Sequence, residues 1–156
     1  MEIEIRRAEN RDIPRILELL SQVLEVHAAG RPDLFKSGTT KYSDKELMEI
    51  IADDERPIFV GEHEGIVQGY AFCVFQHHND RNTPVFTTLY IDDLCVDEKS
   101  RGNHVGRSLY EYVLKFAKEQ GCYNVTLNVW TCNESAMKFY EKCGLSVQKY
   151  GMEKIL

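Results

Sequence analysis

The stretch from Asp92 to Leu109, "DDLCVDEKSRGNHVGRSL", predicts the end of a strand, a short loop and the start of a helix. The loop places Arg101 and Arg107 beside glycines. Free backbone N–H groups at a helix start, together with the helix dipole, favour an anion, and glycines let the backbone approach it closely. A phosphate or pyrophosphate is the natural ligand of this junction. A helix that merely begins after a glycine turn has the same local pattern, so this alternative stays open.

Length and composition predict one domain over residues 1–156, with 43% hydrophobic residues for its core. The net charge of −6 disfavours nucleic acid as a partner, because phosphate binding requires clustered Lys and Arg. Five cysteines, an odd number without a C-x-x-C pair, indicate a reducing cytoplasm. We find no zinc-ligand spacing, no apolar leader and no apolar run of membrane-spanning length, and we therefore expect neither a metal nor a membrane partner.

Hydrophobic periodicity predicts the element order β-α-α-β-β-β-α-β-α-β, a mixed α/β domain around one sheet with a β-α-β unit in its second half. Ser43 and Glu46 have the spacing of a capping box at the start of the second helix. Asn133 is the expected N-cap of a short helix that Gly144 ends. Residues 145–156 are expected to form the closing strand.

Two motifs make the chain resemble the GNAT superfamily of acetyl-CoA-dependent N-acetyltransferases. The family pattern [QR]-x-x-G-x-[GA] lies between a long strand and a helix, and here it takes the form Arg101-x-x-His104-x-Gly106. The segment 128–145, "NVWTCNESAMKFYEKCGL", is similar to the family's strand, Asn and helix ending in A-x-x-F-Y-E-K-x-G-[FL]. The resemblance covers nearly the whole chain and implies the GNAT fold, with a mostly antiparallel sheet splayed around the cofactor.

The resemblance also implies acetyl-CoA as co-substrate, without a metal. The strand would pair its backbone with the pantetheine arm, the loop amides would surround the pyrophosphate, and the later short helix would line the other side. The cofactor-binding residues implied in this way are Leu94, Cys95, Val96, Arg101, Gly102, Asn103, His104, Val105, Gly106, Arg107, Ser108, Asn133 and Ala136.

His104 departs from the family pattern, which most often has glycine at this position. We expect its backbone N–H to remain available for the anion if φ stays negative, although His tolerates a positive φ better than most residues. Three interpretations stay open: an imidazole that points away from or alongside the diphosphate, a tolerated surface substitution, or a lowered affinity for the cofactor.

Acetyl transfer to an amine requires an unprotonated amine, a polarised carbonyl and protonation of the departing thiolate. By resemblance, Tyr140 protonates the thiolate and a backbone N–H near Leu94 polarises the carbonyl. The alternative for Tyr140 is a core aromatic residue beside Phe139.

Asp92 and Asp93 are the candidates on the amine side, and strand alternation predicts that they face opposite sides of the sheet. Resemblance to relatives that act on polyamines favours Asp92, either as a base through a water molecule or as an anchor for the substrate ammonium. The alternative for each acid, favoured for Asp93, is a structural hydrogen bond or an ion pair with Arg or Lys.

The expected function is direct transfer of an acetyl group from acetyl-CoA to a primary amine in a ternary complex. The expected acceptor is a small amine, such as a polyamine, an aminoglycoside-like compound or an amino acid derivative. The alternatives are a protein N-terminus or lysine as acceptor, and a non-catalytic acyl-CoA-binding module. Because the family often dimerises, we expect a homodimer.

Overall fold

A computed structural model describes all 156 residues and contains five strands and four α-helices around one sheet. Strand β1 covers Glu4–Arg7, β2 Ile58–His63, β3 Ile66–His78, β4 Phe86–Val96 and β5 Asn124–Leu127. Helix α1 covers Ile13–Gly30, α2 Asp44–Ile51, α3 Val105–Glu119 and α4 Glu134–Lys142. The strand order is β1-β2-β3-β4-β5, and only β4 and β5 are parallel. The predicted mixed α/β class is confirmed.

The sheet separates two hydrophobic cores. Helices α1 and α2 cover one face, where Leu20, Leu47 and Tyr70 belong to the same buried cluster. Helix α3 covers the other face. Its residues Val105, Leu109, Val113 and Ala117, four positions apart, lie on one side of the helix and are all buried in the second core. None of the four helices combines the length and the apolar content needed to span a membrane.

A β-bulge at Asp92 reverses the alternation of β4. Ile91 pairs with Cys73 of β3 and Asp93 pairs with Phe72, the residue next to Cys73, so Asp92 has no partner of its own. Before the bulge Ile91 packs in the α3-side core, and after it Cys95 packs in the core under α1 and α2. One inserted residue shifts a two-residue repeat by one position, so odd-numbered side chains change sides at this point.

Strands β4 and β5 separate directly after the bulge begins. They pair only over Thr88–Ile91 and Asn124–Leu127, and β4 then continues to Val96 with β3 alone. Strand β5 is therefore shorter than the sequence pattern suggests. The separation leaves one edge of β4 without a strand partner beside the residues that lead into α3.

The predicted closing strand over residues 145–156 is absent. Helix α4 ends in a Schellman motif, in which Gly144 has φ +92 and the Leu145 N–H donates to the Tyr140 carbonyl. Residues 146–156, called the tail from here on, are all exposed and make no backbone–backbone hydrogen bond. The alternating apolar residues that predicted a strand are present, but a strand also needs a partner, and no strand of this chain pairs with the tail.

Candidate functional site

The N-terminus of α3 carries a row of free backbone amides. No acceptor in the chain takes the N–H groups of the four residues from His104 to Arg107, and no side chain caps the helix. The first helical bond runs from the Ser108 N–H to the His104 carbonyl at 2.9 Å. Adjacent free amides at the positive end of a 15-residue helix form an anion site.

His104 adopts a left-handed conformation, with φ 62 and ψ 16. The condition of a negative φ at this position is therefore not met, but the backbone N–H of His104 stays free in the positive-φ conformation, which His tolerates better than most residues. The physical reason is the tight turn into α3, which also requires φ +86 at Gly102. Left-handed backbone costs a residue with a Cβ about 1 kcal/mol or more, a cost that glycine avoids. The residue is exposed, in keeping with a tolerated surface substitution.

We expect His104→Gly to raise the free energy of unfolding by about 0.5–1 kcal/mol, because it relieves the left-handed strain at some cost in unfolded-state entropy. Urea denaturation of the two proteins measures this difference. Glu64→Gly is the matched control, since Glu64 also has a positive φ, 48, but lies in the hairpin turn between β2 and β3. A destabilised His104→Gly protein alongside a stabilised control would mean that the imidazole contributes a favourable contact.

Gly106 lets three elements meet at this helix start. A Cβ added to Gly106 would lie 3.3 Å from Phe139 Cζ on α4 and 3.3 Å from Val96 Cγ2 on β4. The contact brings the free amides, the unpaired edge of β4 and α4 together. Of the predicted cofactor-binding residues, Gly106 and Val96 therefore lie together beside α4, near the end of β4 that β5 leaves unpaired.

The other predicted cofactor residues have local roles in the chain. Asn133 caps α4, as predicted, with its side-chain oxygen accepting from the Ala136 N–H at 3.3 Å. Arg107 Nε donates to Glu111 at 3.0 Å, whereas Arg101 is exposed and makes no ion pair. Cys95 is buried, and burial raises the pKa of its thiol to about 12, so the thiol stays protonated.

Both acids face α1 and α2, so the prediction that Asp92 and Asp93 face opposite sides is wrong, and the bulge is the reason. Asp92 Oδ2 accepts from Lys41 Nζ at 2.7 Å and from the Tyr42 hydroxyl at 3.1 Å. The Tyr42 ring stacks on Phe72 in the core under α1 and α2, with centroids 5.6 Å apart. Lys41 and Tyr42 belong to the connection between the two helices, which therefore closes over the acids.

Asp93 lies deeper than Asp92 and forms a short hydrogen bond. Its Oδ2 accepts from the Tyr70 hydroxyl at 2.6 Å, and Tyr70 is fully buried. Burial raises the pKa of Asp93 to about 6, although the bond from Tyr70 lowers it in part. The sequence alone favoured a structural role for Asp93. The bulge turns Asp93 toward the same side as Asp92, and no local sequence signal reveals that bulge.

Tyr140 lies across the gap from these acids on α4. It is half-buried, and its hydroxyl has no hydrogen-bond partner in the chain. Burial raises its pKa above the usual value of 10, and the negative charge of Asp93 raises it further. The ring meets Phe139 edge-on, with centroids 5.2 Å apart, so the two aromatic residues point in different directions. A phenol that keeps its proton beside a gap is suited to donate a proton.

A cleft of about 310 Å³ opens on the side of β5 and is lined by Tyr90, which precedes Asp92 by two residues on β4. Its wall is polar and is formed by Gln76, Tyr90, Thr126, Leu127, Asn128, Gln148 and Lys149. The Asn128 amide donates to the Tyr90 hydroxyl at 3.2 Å. Burial raises the pKa of Tyr90, and the negative charge of Asp92 raises it further. The charge of Asp92 therefore acts on a residue in the wall of the cleft.

Comparison with known sequences identifies relatives of this chain. The model of the acetyltransferase (GNAT) family matches residues 20–145. The glucosamine 6-phosphate N-acetyltransferase of Trypanosoma brucei brucei is 27% identical over 97% of this chain and 95% of its own length. The enzyme of the same name from Arabidopsis thaliana is 37% identical, but the match spans only 42% of each chain. The thialysine N-epsilon-acetyltransferase of Bos taurus is 26% identical over 91% of this chain and 83% of its own length.

Comparison with solved structures finds the same fold over nearly the full length of this chain. A mutant of the BH1408 protein from Bacillus halodurans has a TM-score of 0.94 at 28% identity, and the match covers 98% of this chain and 99% of that one. The Arabidopsis thaliana glucosamine-6-phosphate N-acetyltransferase has a TM-score of 0.72 at 28% identity, with 99% of both chains covered. The family match over most of the chain, together with this shared fold, shows that the chain belongs to the acetyltransferase (GNAT) family.

Proposed function

We propose that the protein transfers an acetyl group from acetyl-CoA directly to a primary amine in a ternary complex, without a metal. The observation that carries the proposal is the row of free amides at the start of α3, located beside a strand edge that β5 leaves open. A diphosphate fits the amides and an extended amide-bearing arm fits the open edge. Bound acetyl-CoA supplies the activated acetyl group as a thioester.

The residues proposed to hold the cofactor are those at this junction. The backbone of Leu94, Cys95 and Val96 is proposed to pair with the pantetheine arm, the free amides from His104 to Arg107 to bind the diphosphate, and the start of α4 to form the opposite wall. The guanidinium of Arg101, at the start of the loop, is exposed and makes no ion pair, so it is available for a phosphate contact.

Asp92 is proposed to bind the ammonium of the acceptor. In the protein itself this carboxylate already binds an ammonium, that of Lys41 at 2.7 Å, and an aromatic hydroxyl completes the site. Lys41 is half-exposed on the connection between α1 and α2, so the ammonium of an acceptor can replace it. A primary amine is the chemical class that makes the same contacts.

Asp93 is proposed as an addition to the catalytic set, receiving the proton of the amine through a water molecule. A carboxylate with a pKa of about 6 is a better base than an ordinary Asp, and at neutral pH it is ionised. Tyr140 is proposed to donate the proton that the departing thiolate needs. The backbone N–H near Leu94 is proposed to stabilise the oxyanion.

A small amine is the favoured acceptor. The relatives named glucosamine 6-phosphate and thialysine N-acetyltransferases act, by name, on amines of small molecules. The volume of the cleft lined by Tyr90, about 310 Å³, lies at the lower end of the range found for small-molecule sites. A protein N-terminus or lysine is the alternative acceptor, and a non-catalytic acyl-CoA-binding module is the alternative without chemistry. We further propose a cytoplasmic homodimer that binds neither nucleic acid nor a membrane.

The raised pKa of Asp93 predicts a pH-dependent stability. The folded protein holds the Asp93 proton more tightly than the unfolded chain, whose pKa is the ordinary 3.8. Protonated Asp93 therefore makes its full contribution to the free energy of unfolding below about pH 4, and this contribution is lost as the pH rises through about 6. We expect Asp93→Asn to be about 1–3 kcal/mol more stable than the wild type at pH 8 and nearly equal to it at pH 4. Urea denaturation at the two pH values measures this, and a difference that does not grow with pH would contradict the assignment.

Calorimetric titration with acetyl-CoA tests the proposed cofactor site, with ATP as the matched control ligand. We expect micromolar binding of acetyl-CoA and much weaker binding of ATP, which shares the phosphates but lacks the pantetheine arm. Equal binding of both ligands would indicate a general phosphate site, and no binding of either would remove the proposed function.

A further inference from the structure

Lys41 lies where the amine of an acceptor is proposed to bind. Its Nζ is 2.7 Å from Asp92 Oδ2, and the Tyr42 hydroxyl donates to the same oxygen at 3.1 Å. The Lys41 side chain ends in a primary amine, which is the chemical class that the proposed reaction acetylates. The chain therefore places an amine of its own at the carboxylate proposed to bind the acceptor.

The backbone on both sides of Lys41 is attached to the rest of the protein. Before it, the Gly38 N–H donates to the carboxylate of Glu25 on α1 at 2.8 Å. After it, the Tyr42 ring stacks on the buried Phe72 of β3, with centroids 5.6 Å apart. The connection between α1 and α2 is therefore anchored to a helix and to the sheet, which keeps the Lys41 ammonium in the site.

The group proposed as the base acts on this ammonium and on the proposed acid. Burial lowers the pKa of Lys41, but the hydrogen bond to Asp92 and the charges of Asp92 and Asp93 outweigh burial, so the pKa is raised overall. Burial raises the pKa of Tyr140, and the charge of Asp93 raises it further. Asp93 therefore lies within electrostatic range of both the Lys41 amine and the Tyr140 hydroxyl.

We propose that the protein acetylates its own Lys41 when acetyl-CoA is bound and no small amine occupies the site. The inference rests on the proposed acetyl transfer and assigns a second acceptor to the same site. It follows from one contact: an acceptor that binds Asp92 through its ammonium is in position to react, and the Lys41 ammonium already makes that contact.

The proposed step uses the same groups as transfer to a small amine. The Lys41 ammonium first gives one proton to Asp93 through a water molecule. Its nitrogen then bonds to the thioester carbonyl carbon, the C–S bond breaks, and the departing thiolate takes the Tyr140 proton. The second proton that the nitrogen loses restores the Tyr140 hydroxyl. The products are an acetamide on Lys41, the free thiol and one proton, which Asp93 releases to solvent.

The reaction stops after one acetyl group per chain. The nitrogen of an acetamide is not a nucleophile, and acetylation removes the charge of a lysine. Acetylated Lys41 therefore no longer forms the ion pair with Asp92, and it no longer competes with the ammonium of an acceptor.

Mass spectrometry of the intact protein, after incubation with acetyl-CoA and no added amine, tests the proposal. We expect a gain of one acetyl group and release of one thiol per chain, with peptide mapping locating the acetyl group on Lys41. Lys41→Arg keeps a positive charge at Asp92 but carries a guanidinium, which stays protonated, so it should gain no acetyl group. Lys36→Arg is the matched control, because Lys36 is an exposed lysine of the same connection, and it should react like the wild type.

Site and rate distinguish self-acetylation from chemical acetylation in solution. Chemical acetylation favours exposed lysines such as Lys36 over Lys41, which its ion pair keeps protonated. Transfer within one chain also has a rate per chain that does not change with protein concentration. Acetyl groups spread over the exposed lysines, or a rate that rises with protein concentration, would overturn the proposal.

The amine panel, measured on the same protein, separates this proposal from the proposed function. Release of thiol with a small amine, while Lys41 stays unmodified in its absence, would overturn self-acetylation and keep the proposed function. Neither amine-dependent release nor modification of Lys41 would remove both.

Discussion

Tyr140→Phe is expected to lower kcat by about 10²-fold or more, while the Kd for acetyl-CoA stays within about twofold. The hydroxyl is the group proposed to protonate the thiolate, and burial with the charge of Asp93 keeps it protonated throughout the neutral range. Removing the hydroxyl leaves the aromatic ring, and with it the packing against Phe139. The loss should therefore fall on the chemical step and not on binding. Single-turnover kinetics with acetyl-CoA separates the two.

Tyr110→Phe is the matched control for this substitution. Tyr110 lies on α3 in the α3-side core, is 6% exposed, and loses the same hydroxyl. We expect its kcat to stay within about twofold of the wild type. An unchanged kcat for Tyr140→Phe, with chemistry rate-limiting, would remove Tyr140 as the acid and leave it as a wall of the gap.

Asp92→Asn is expected to lower kcat/KM for the amine by about 10²-fold, mainly through KM. A carboxylate that pairs with an ammonium in a partly buried site contributes about 2–3 kcal/mol, which the amide cannot replace. Asp92 is 22% exposed and is the partner of the one ammonium that already lies in the site. The KM for acetyl-CoA should not change. A fall in kcat with an unchanged KM would instead identify Asp92 as the base.

Lys41→Met distinguishes binding of the acceptor from structural support. Lys41→Met breaks the same ion pair as Asp92→Asn but keeps the carboxylate. It also removes the ammonium with which the acceptor competes for Asp92. We expect KM for the amine to stay equal or to fall. Equal losses of activity in the two variants would mean that the ion pair supports the connection between α1 and α2 and does not bind the acceptor.

Local sequence signals predicted the starts of α2 and α4 correctly, because capping depends on neighbours in the chain. The capping box forms as expected, with the Glu46 N–H donating to Ser43 Oγ at 3.2 Å and the Ser43 N–H donating to Glu46 at 3.1 Å. Asn133 caps α4 for the same reason. The family motif also indicated the helix start with its free amides, since that pattern lies within six consecutive residues.

Features that depend on distant pairing could not be predicted in this way. The bulge at Asp92 exists only in register with β3, so the alternation that separates Asp92 from Asp93 in the sequence does not hold in the sheet. The raised pKa of Asp93 follows from burial next to Tyr70, 23 residues away in the chain. The tail has the pattern of a strand, but whether a strand forms depends on its partner, and this chain alone does not supply one.

The release of free thiol from acetyl-CoA in the presence of a panel of amines tests the central claim most directly. The panel contains glucosamine 6-phosphate, a polyamine, an aminoglycoside, lysine and a lysine-bearing peptide, each at neutral pH. We predict release that depends on one class of small amine, with one acetylated amine formed per thiol. Tight binding of acetyl-CoA without amine-dependent release would contradict the account and would leave an acyl-CoA-binding module in its place.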